Sequence, residues 1–376
     1  MDVIATTQQV LCPQCEQVCD KIHDTRARKK RDLFLADHQV ELILWKRRFC
    51  CSSCHLRFTE PDCVCGRKRR TTARLRDYLG TQAQSRPVAH VAASCGVGPR
   101  FVQQCLLHVA TTAIEHTGGH VDETHPLPTP RYLGIDEFAV RKGHRYETIL
   151  CDLEHRSVLE VSAGRTLEEV VALLTRLQTP ETVEAVSMDM SASFRPAVKQ
   201  CLPHAQIVVD HFHVIQHVMK AFRKVLSSWA HKKEGMMVLH RKQHLFLRAH
   251  ESLTEEQQKE RARIGSHLPL LETAWGLKEA LRTWYTTATE ETAAQHLDDW
   301  IAQVKQEGPE PMCKALSAFV HWRQEILAFF HFLPEQRLSN GFVEGKNNRT
   351  KALMRSAYGY RNRQHLRLRI LLGNVA

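Results

Sequence analysis

No run of about 18 uncharged apolar residues occurs in this chain, so no segment reads as a membrane span and no membrane partner is expected. The amino terminus, MDVIATTQQVLCPQC, lacks the basic-then-apolar layout of a secretory signal, and a cytoplasmic protein is expected. An even cysteine set is missing too. The 13 cysteines cluster early, which argues for reduced thiols and a metal site rather than a disulfide framework. At 376 residues and 43% hydrophobic content, the chain is globular and too long for one small core.

Negative charge is the minority sign, since 52 Lys+Arg against 41 Asp+Glu leave a net charge of +11. That excess favours a polyanion partner. It is concentrated in RARKKR (26–31), RKRRTTARLR (67–76) and RTKALMRSAYGYRNRQHLRLR (349–369). One such run is ordinarily a solvated face. Three of them beside separate binding signals point to nucleic acid.

Two CxxC pairs, CPQC (12–15) and CSSC (51–54), bracket a strand-like segment, VELILWKRRF (40–49). Each pair offers two thiolates from one tight turn, and two such turns close a tetrahedral zinc site. Residues 1–66 therefore read as a zinc-ribbon-like domain with structural Zn²⁺ on Cys12, Cys15, Cys51 and Cys54. The doubled Cys50–Cys51 leaves a second register open, and Cys19, Cys63 and Cys65 are spare. Residues 67–118 read as helical, and VAHVAASCGVGPRFVQQCLLHVA (88–110) has a helix-turn-helix pattern. Ala92 is small enough for a helix crossing, Gly96 supplies the turn, and Pro99 suits the first turn of a second helix. Arg100, Gln103 and Gln104 are then placed for DNA contacts; an ordinary helical pair is the bland reading. TGGHVDETHPLPTPR (117–131) reads as a linker, with 119–131 as the boundary segment.

The acids are the centre of the reading. Asp136 in RYLGIDEFAV and Asp189 in VEAVSMDMS sit at or beside the ends of apolar, β-branched runs that read as buried strands. Two carboxylates about 4 Å apart repel by about 4 kcal/mol even at an effective dielectric of 20, which a hard divalent cation relieves. This pattern suggests metal-dependent phosphoryl transfer on nucleic acid. RYLGIDEFAV, RYETILCDL (145–153) and SVLEVSA (157–163) read as an antiparallel meander. TLEEVVALLTRL (166–177) reads as a helix capped by Thr166, TVEAVSMDM (182–190) as a strand, SFRPAVKQCL (193–202) as a helix, and QIVVDHFHVIQHV (206–218) as a strand entering a helix. Three strands, helix, strand, helix, strand is the order of a ribonuclease H-like core, here 132–218, in which acids on the first and fourth strands meet. Glu137, Glu147 and Asp152 are alternative acids near the first.

Glu344 lies in SNGFVEGKNNRTK. On a helix, Asn340, Glu344, Asn347, Asn348 and Lys351 share one polar face. Gly341 and Gly345 flank the acid and permit close approach. Residues 219–335 read as an all-α insertion and 336–376 as the returning carboxy-terminal part of the core. Trp229, Trp275, Trp284, Trp300 and Trp322 fall in or near that insertion, and core packing outweighs base stacking as their reading. In DHFHVIQH (210–217), His213 and His217 have metal-ligand spacing, but with 23 histidines coincidence is the favoured reading. Asp210 ends a strand and is placed to support the acid pair from behind.

The cysteine pairs with RRF before the second, the helix-turn-helix, GIDE, MDMS, DHFHV, and NGFVEGKNNRTK followed by GYRN resemble the DDE transposases of bacterial insertion sequences, specifically the ISL-three family. The resemblance covers most of the chain and rests on motif order and spacing. It implies a multidomain α/β protein with a catalytic triad of Asp136, Asp189 and Glu344 holding two Mg²⁺ (or Mn²⁺) ions. It also implies that DHFH supplies an Asp-x-x-His signature through Asp210 and His213. Double-stranded DNA would be the substrate, at terminal inverted repeats and target, and Lys351, Arg355 and Arg361 would contact phosphates. A homodimer or larger assembly on DNA in the bacterial cytoplasm is implied as well. Two other classes compete. One is a zinc-ribbon and helix-turn-helix regulator with a non-catalytic later domain; the other is a ribonuclease H-like nuclease without strand transfer.

Overall fold

The computed structural model describes every residue other than 37, 63, 67–68, 117–121, 142, 231–235, 334–336, 358–359, 361 and 374–376, with backbone alone at 229, 230 and 236–240. Internal contacts divide the chain into two units, Met1–Val121 with Ala352–Ala376, and Asp122–Lys351.

The first unit begins with β1 (Asp2–Ile4), the short pair β2 (Val10–Leu11) and β3 (Val18–Cys19), a long ribbon of β4 (Ile22–Leu35) and β5 (His38–Cys50), and β6 (Arg57–Thr59). β1 runs parallel to β5, while β4 and β6 pair antiparallel with it. Three helices follow, α1 (Ala73–Ser85), α2 (Val88–Ser94) and α3 (Pro99–His116). Asp32 ties the ribbon to them. It is 1% exposed and accepts from Thr72 Oγ1 and Arg74 Nε, both at 2.7 Å. Thr72 in turn caps α1 by accepting from Leu75 N–H. The Arg74 guanidinium holds the Asp32 carboxyl down at about 2. Arg31 donates to the carbonyls of Cys95 (2.7 Å) and Gly96 (3.0 Å), which satisfies the carboxy-terminal end of α2. Gly96 takes φ +54°, the left-handed turn between α2 and α3.

The second unit opens on β7 (Tyr132–Arg141), β8 (Arg145–Asp152) and β9 (Ser157–Ala163), an antiparallel meander. Then come α4 (Leu167–Leu174), β10 (Ala185–Met188), α5 (Phe194–Cys201) and β11 (Gln206–Val209). The strand order is β11-β10-β7-β8-β9, with β10 parallel to both β7 and β11. Helices cross between the parallel strands, as that pairing demands. Thr166 caps α4 in a reciprocal box with Glu169. All four residues of β10, Ala185, Val186, Ser187 and Met188, are buried, so the strand is covered on both faces rather than alternating.

After β11 come α6 (His211–Ala230), α7 (Met236–Leu247), α8 (Glu255–Ser266), α9 (Pro269–Thr287), α10 (Glu290–Glu307), α11 (Glu310–His321) and α12 (Arg323–Leu327). The described residues of 219–335 contain helices and turns but no strand. One apolar cluster runs from Leu133 and Val186 in the sheet to Trp300 and Phe319 in these helices, so they share the core of the sheet. Trp284, Trp300 and Trp322 are buried in it, and the indoles of Trp284 and Trp300 donate to the carbonyls of Ala293 and Leu277.

The chain closes with α13 (Gly341–Ser356) and α14 (Arg363–Leu372). Two expected boundaries differ from the structure. The segment 336–376 is divided, because from Ala352 onward the chain packs with the first unit. Leu366, Leu368, Ile370, Leu371 and Leu372 are buried in that unit, and Arg369 donates to the carbonyls of Ala83, Gln84 and Arg86 at the end of α1 (2.5, 3.0 and 3.1 Å). The expected linker 119–131 is also partly core. Residues from Asp122 belong to the second unit, where Leu127 is buried and bridges Leu177.

Candidate active site and metal centres

Strand register builds the acid site. In the parallel pair β7–β10, Met188 lies opposite Ile135, so the next residues, Asp136 and Asp189, emerge level with each other. In the pair β10–β11, Met188 lies opposite Val209, which brings Asp210 into the same row; its N–H donates to the Met188 carbonyl (2.9 Å). Asp210 precedes α6, and one turn later His213 Nδ1 meets Asp210 Oδ2 at 3.3 Å. Ligand atoms of Asp136, Asp189 and His213 all lie within 4.8 Å of one another.

α13 closes the site from the side. Asn347, 1% exposed, donates to Asp136 Oδ2 (2.7 Å), and Asn340, fully buried, donates to the Ile135 carbonyl (3.0 Å). Gly134 makes this approach possible. A Cβ there would stand 2.7 Å from Val343 Cγ2 and 3.2 Å from Asn340 Oδ1. The polar face expected on this helix is present, but it meets Asp136 through Asn347. Glu344 is half-buried one turn earlier and does not join the group of atoms within 4.8 Å. A neutral amide at 347 can donate to the buried carboxylate, which a carboxylate in its place could not do.

Burial dominates the electrostatics. It raises Asp189 to about 6, reinforced by the charge of Asp136. Burial also raises Asp136, against the Glu137 N–H, His213 and the Asn347 amide, which favour its charged form. Asp210 goes the other way: against its burial, the neighbouring His211 ring (3.4 Å) and the hydrogen-bonded His213 ring hold it far below the usual carboxylate range. One carboxylate oxygen of Asp189 is buried with no hydrogen-bond partner among the described residues. Two level carboxylates, an open buried oxygen and a histidine steadied from behind by Asp210 are a donor set that fits a hard divalent cation.

The alternative acids have other work. Glu137 pairs with Arg165 (2.5 Å) and Glu147 with Arg145 (3.4 Å), and Asp152 accepts from the Glu154 and His155 N–H groups. His217 meets the Ala315 carbonyl (3.2 Å). Among the expected DNA contacts, Arg100, Gln104, Lys351 and Arg355 are exposed. Gln103 differs from expectation, because its amide is engaged by His365 within the first unit. Arg361 and Cys63 lie outside the described residues. The roles of Asn347 and Gly134 escaped the sequence reading; the only signal was their place beside the acids.

The cysteines form a second centre. Cys12, Cys15, Cys51 and Cys54 converge, with sulfur separations of 3.5 Å (Cys15–Cys51) and 3.6 Å (Cys12–Cys54 and Cys15–Cys54). A disulfide would need about 2.05 Å; a tetrahedral ion with Zn–S of about 2.3 Å holds its sulfurs about 3.8 Å apart. The two turns have the same build. Cys12 N–H donates to the Gln17 carbonyl and Glu16 N–H to the Cys12 carbonyl, while Cys51 pairs with Leu56 and His55 with Cys51 in the same way. Glu16 and His55, at equivalent places, both take φ +58°. Of the doubled cysteines, Cys51 enters the group and Cys50 does not.

The comparisons address the second unit most directly. The DDE ISL3 family model, described as transposase, matches residues 133–370. The chain belongs to this transposase family. It is 29% identical over 376 residues to the transposase for insertion sequence element IS1001 of Bordetella parapertussis, covering 97% of this chain and 89% of that one. It is 25% identical over 263 residues to the transposase for insertion sequence element IS1557 of Mycobacterium tuberculosis, covering 63% and 58%. The matched family region contains the whole acid site; the cysteine centre lies before it. Among the described residues no helix is long and apolar enough to cross a membrane.

Two outcomes are expected for this family member. In metal-free buffer, the raised Asp189 binds its proton more readily folded than unfolded, so stability falls as pH climbs from about 4 through about 6. Asp189→Asn removes that loss and stabilises the chain by roughly 1–3 kcal/mol at neutral pH. Denaturant melts of both proteins in EDTA across this range check it; an unchanged or less stable variant contradicts it. For the cysteines, metal analysis of purified protein should find one zinc per chain, retained in Cys50→Ser and lost in Cys51→Ser. Equal retention in both variants contradicts the register.

Proposed function

We propose that the chain cuts and joins DNA at the ends of an insertion sequence, with Asp136, Asp189 and Glu344 as the carboxylates that hold two divalent cations, Mg²⁺ or Mn²⁺. The observation that carries this reading is the level emergence of Asp136 and Asp189 from adjacent parallel strands inside the region matched to a transposase family. The order of strands and helices from β7 to β11 supports a ribonuclease H-like core. Bound cations supply charge to the scissile phosphate and to the attacking and leaving oxygens.

The chain's own groups do the placing. Asn347 fixes the Asp136 carboxylate through Oδ2 and leaves Oδ1, which accepts from the Glu137 N–H at 2.7 Å. Asp189 offers an oxygen free of other hydrogen bonds. Asp210 orients His213 at the edge of the site. Glu344, half-buried one turn before Asn347 on α13, enters as the third carboxylate, with Lys351 on the same face as a phosphate contact. In the first unit, the four cysteines hold structural zinc in a ribbon, and α2 and α3 form a helix-turn-helix that reads the terminal repeats through Arg100 and Gln104. Joining two element ends calls for a homodimer or larger assembly.

The test is cleavage of DNA carrying the flanking terminal repeats, in Mg²⁺, Mn²⁺ or EDTA. The expected result is a metal-dependent cut at the repeat ends and strand transfer from the new 3′-OH. Asp136→Asn, Asp189→Asn and Glu344→Gln should each lower cutting at least about a thousandfold while repeat binding stays within about threefold. Specific binding without any cut would leave a DNA-binding regulator. Cutting without transfer would leave a nuclease.

A further inference from the structure

α6 is amphipathic, and its two faces differ in chemistry. Its inner face is core: Val214, Val218, Ala221, Phe222, Val225 and Leu226 are buried. Its outer face begins with Phe212 and continues through Gln216, Lys220, Arg223 and Lys224, all exposed. Phe212, Gln216, Lys220 and Lys224 are each four residues apart, with Arg223 three residues after Lys220, so they form one stripe with steps of roughly 6 Å from each member to the next turn. The stripe starts at the acid site, since Phe212 lies between Asp210 and His213 and its ring meets the His213 ring edge-on at 6.1 Å.

The outer face of an amphipathic helix is ordinarily just solvated, and a lone surface hydrophobe needs no explanation. Two observations set this stripe apart. Phe212 is 42% exposed and is the exposed phenylalanine among the described residues, the others being buried or half-buried. Lys220, Arg223 and Lys224 have no ion-pair partner among the described residues. Other cations of the same unit divide: Arg195, Arg261, Arg282 and Arg323 are each paired with an acid, whereas Lys259, Arg263 and Lys305 have no ion pair among the described residues, so what singles out the three on α6 is their place in line with Phe212 and the acid site. An uncovered ring beside a carboxylate pair, followed by unpaired cations, has the chemistry of a single-strand track: aromatic faces stack bases and cations follow the backbone.

We propose that the outer face of α6 holds a DNA strand opened at the cut. Phe212 stacks on an unpaired base next to the scissile phosphate, and Lys220, Arg223 and Lys224 contact the phosphates that lead away from it. The inference rests on the acid site being the cutting site, and it adds how the DNA is held there. A base taken out of its pair must be stabilised outside the stack, and a ring at the edge of the site does that without reading sequence. Phe212 is thus a positioning residue.

The test uses the full chain and repeat-end duplexes carrying 2-aminopurine at each position flanking the mapped cut, bound in EDTA so that no reaction occurs. Wild type and Phe212→Trp should change the fluorescence at one flanking position, and Phe212→Ala should not. Phe212→Ala should also cut fully paired ends at least about tenfold more slowly, with partial rescue when that one pair is mismatched beforehand. The double change Lys220→Ala with Lys224→Ala should flatten the dependence of log affinity on log salt by about 1.5. Fluorescence and rate in Phe212→Ala equal to wild type, or an unchanged salt slope in the double variant, would overturn the track. A wild-type chain that makes no metal-dependent cut defeats the reading of the acids instead, and the two binding measurements still decide the track.

Discussion

The parallel pairing of β10 with β7 is the constraint on which the rest depends. Met188 opposite Ile135 makes the following aspartates emerge side by side, and both are largely withdrawn from water. Burying two like charges together is unfavourable unless something of opposite sign joins them. The fold tolerates the arrangement because the strands beneath are buried and largely apolar, Ser187 of β10 excepted. β10 is buried along its whole length, and Leu133 and Ile135 of β7 are fully buried. A slip of one residue would move Asp189 away from Asp136 and turn its strand's core side chains over.

The surroundings divide the labour of holding that pair. Asn347 satisfies one oxygen of Asp136 without adding charge, and Gly134 admits its helix to the sheet. Asp210 stays ionised between two histidines and steadies His213. The helices between α6 and α12 share the core of the sheet that carries the row of aspartates. In the first unit, two equivalent cysteine turns and the buried Asp32 junction do the corresponding work with thiols and ion pairs rather than apolar mass. Small strand-rich modules commonly need such a staple.

Much of this was legible in the chain because its signals are local. The apolar runs before Asp136 and Asp189 mark strands that lead to an acid, and the element order predicts that the acids meet, although β7 runs on past Asp136 to Arg141, paired with β8. The CxxC spacing marks the thiol cluster, although only the fold separates Cys51 from Cys50. What escaped was set by tertiary packing. Nothing in the pattern of Leu366 to Leu372 says which core will receive α14, and it went to the first unit rather than to the sheet. Gln103 looked like a groove contact on an exposed helix face until His365 covered it. On α13 the periodicity gave one polar face without ranking its members, and Asn347 rather than Glu344 reaches Asp136.

The most direct test of the account is to locate Mn²⁺ by anomalous scattering in crystals of the chain bound to DNA carrying its cleaved repeat end. The account predicts manganese at about 2.0–2.2 Å from carboxylate oxygens of both Asp136 and Asp189, with Glu344 drawn in as a further ligand. Manganese bound elsewhere, or none at these aspartates while the DNA end occupies the site, would contradict it.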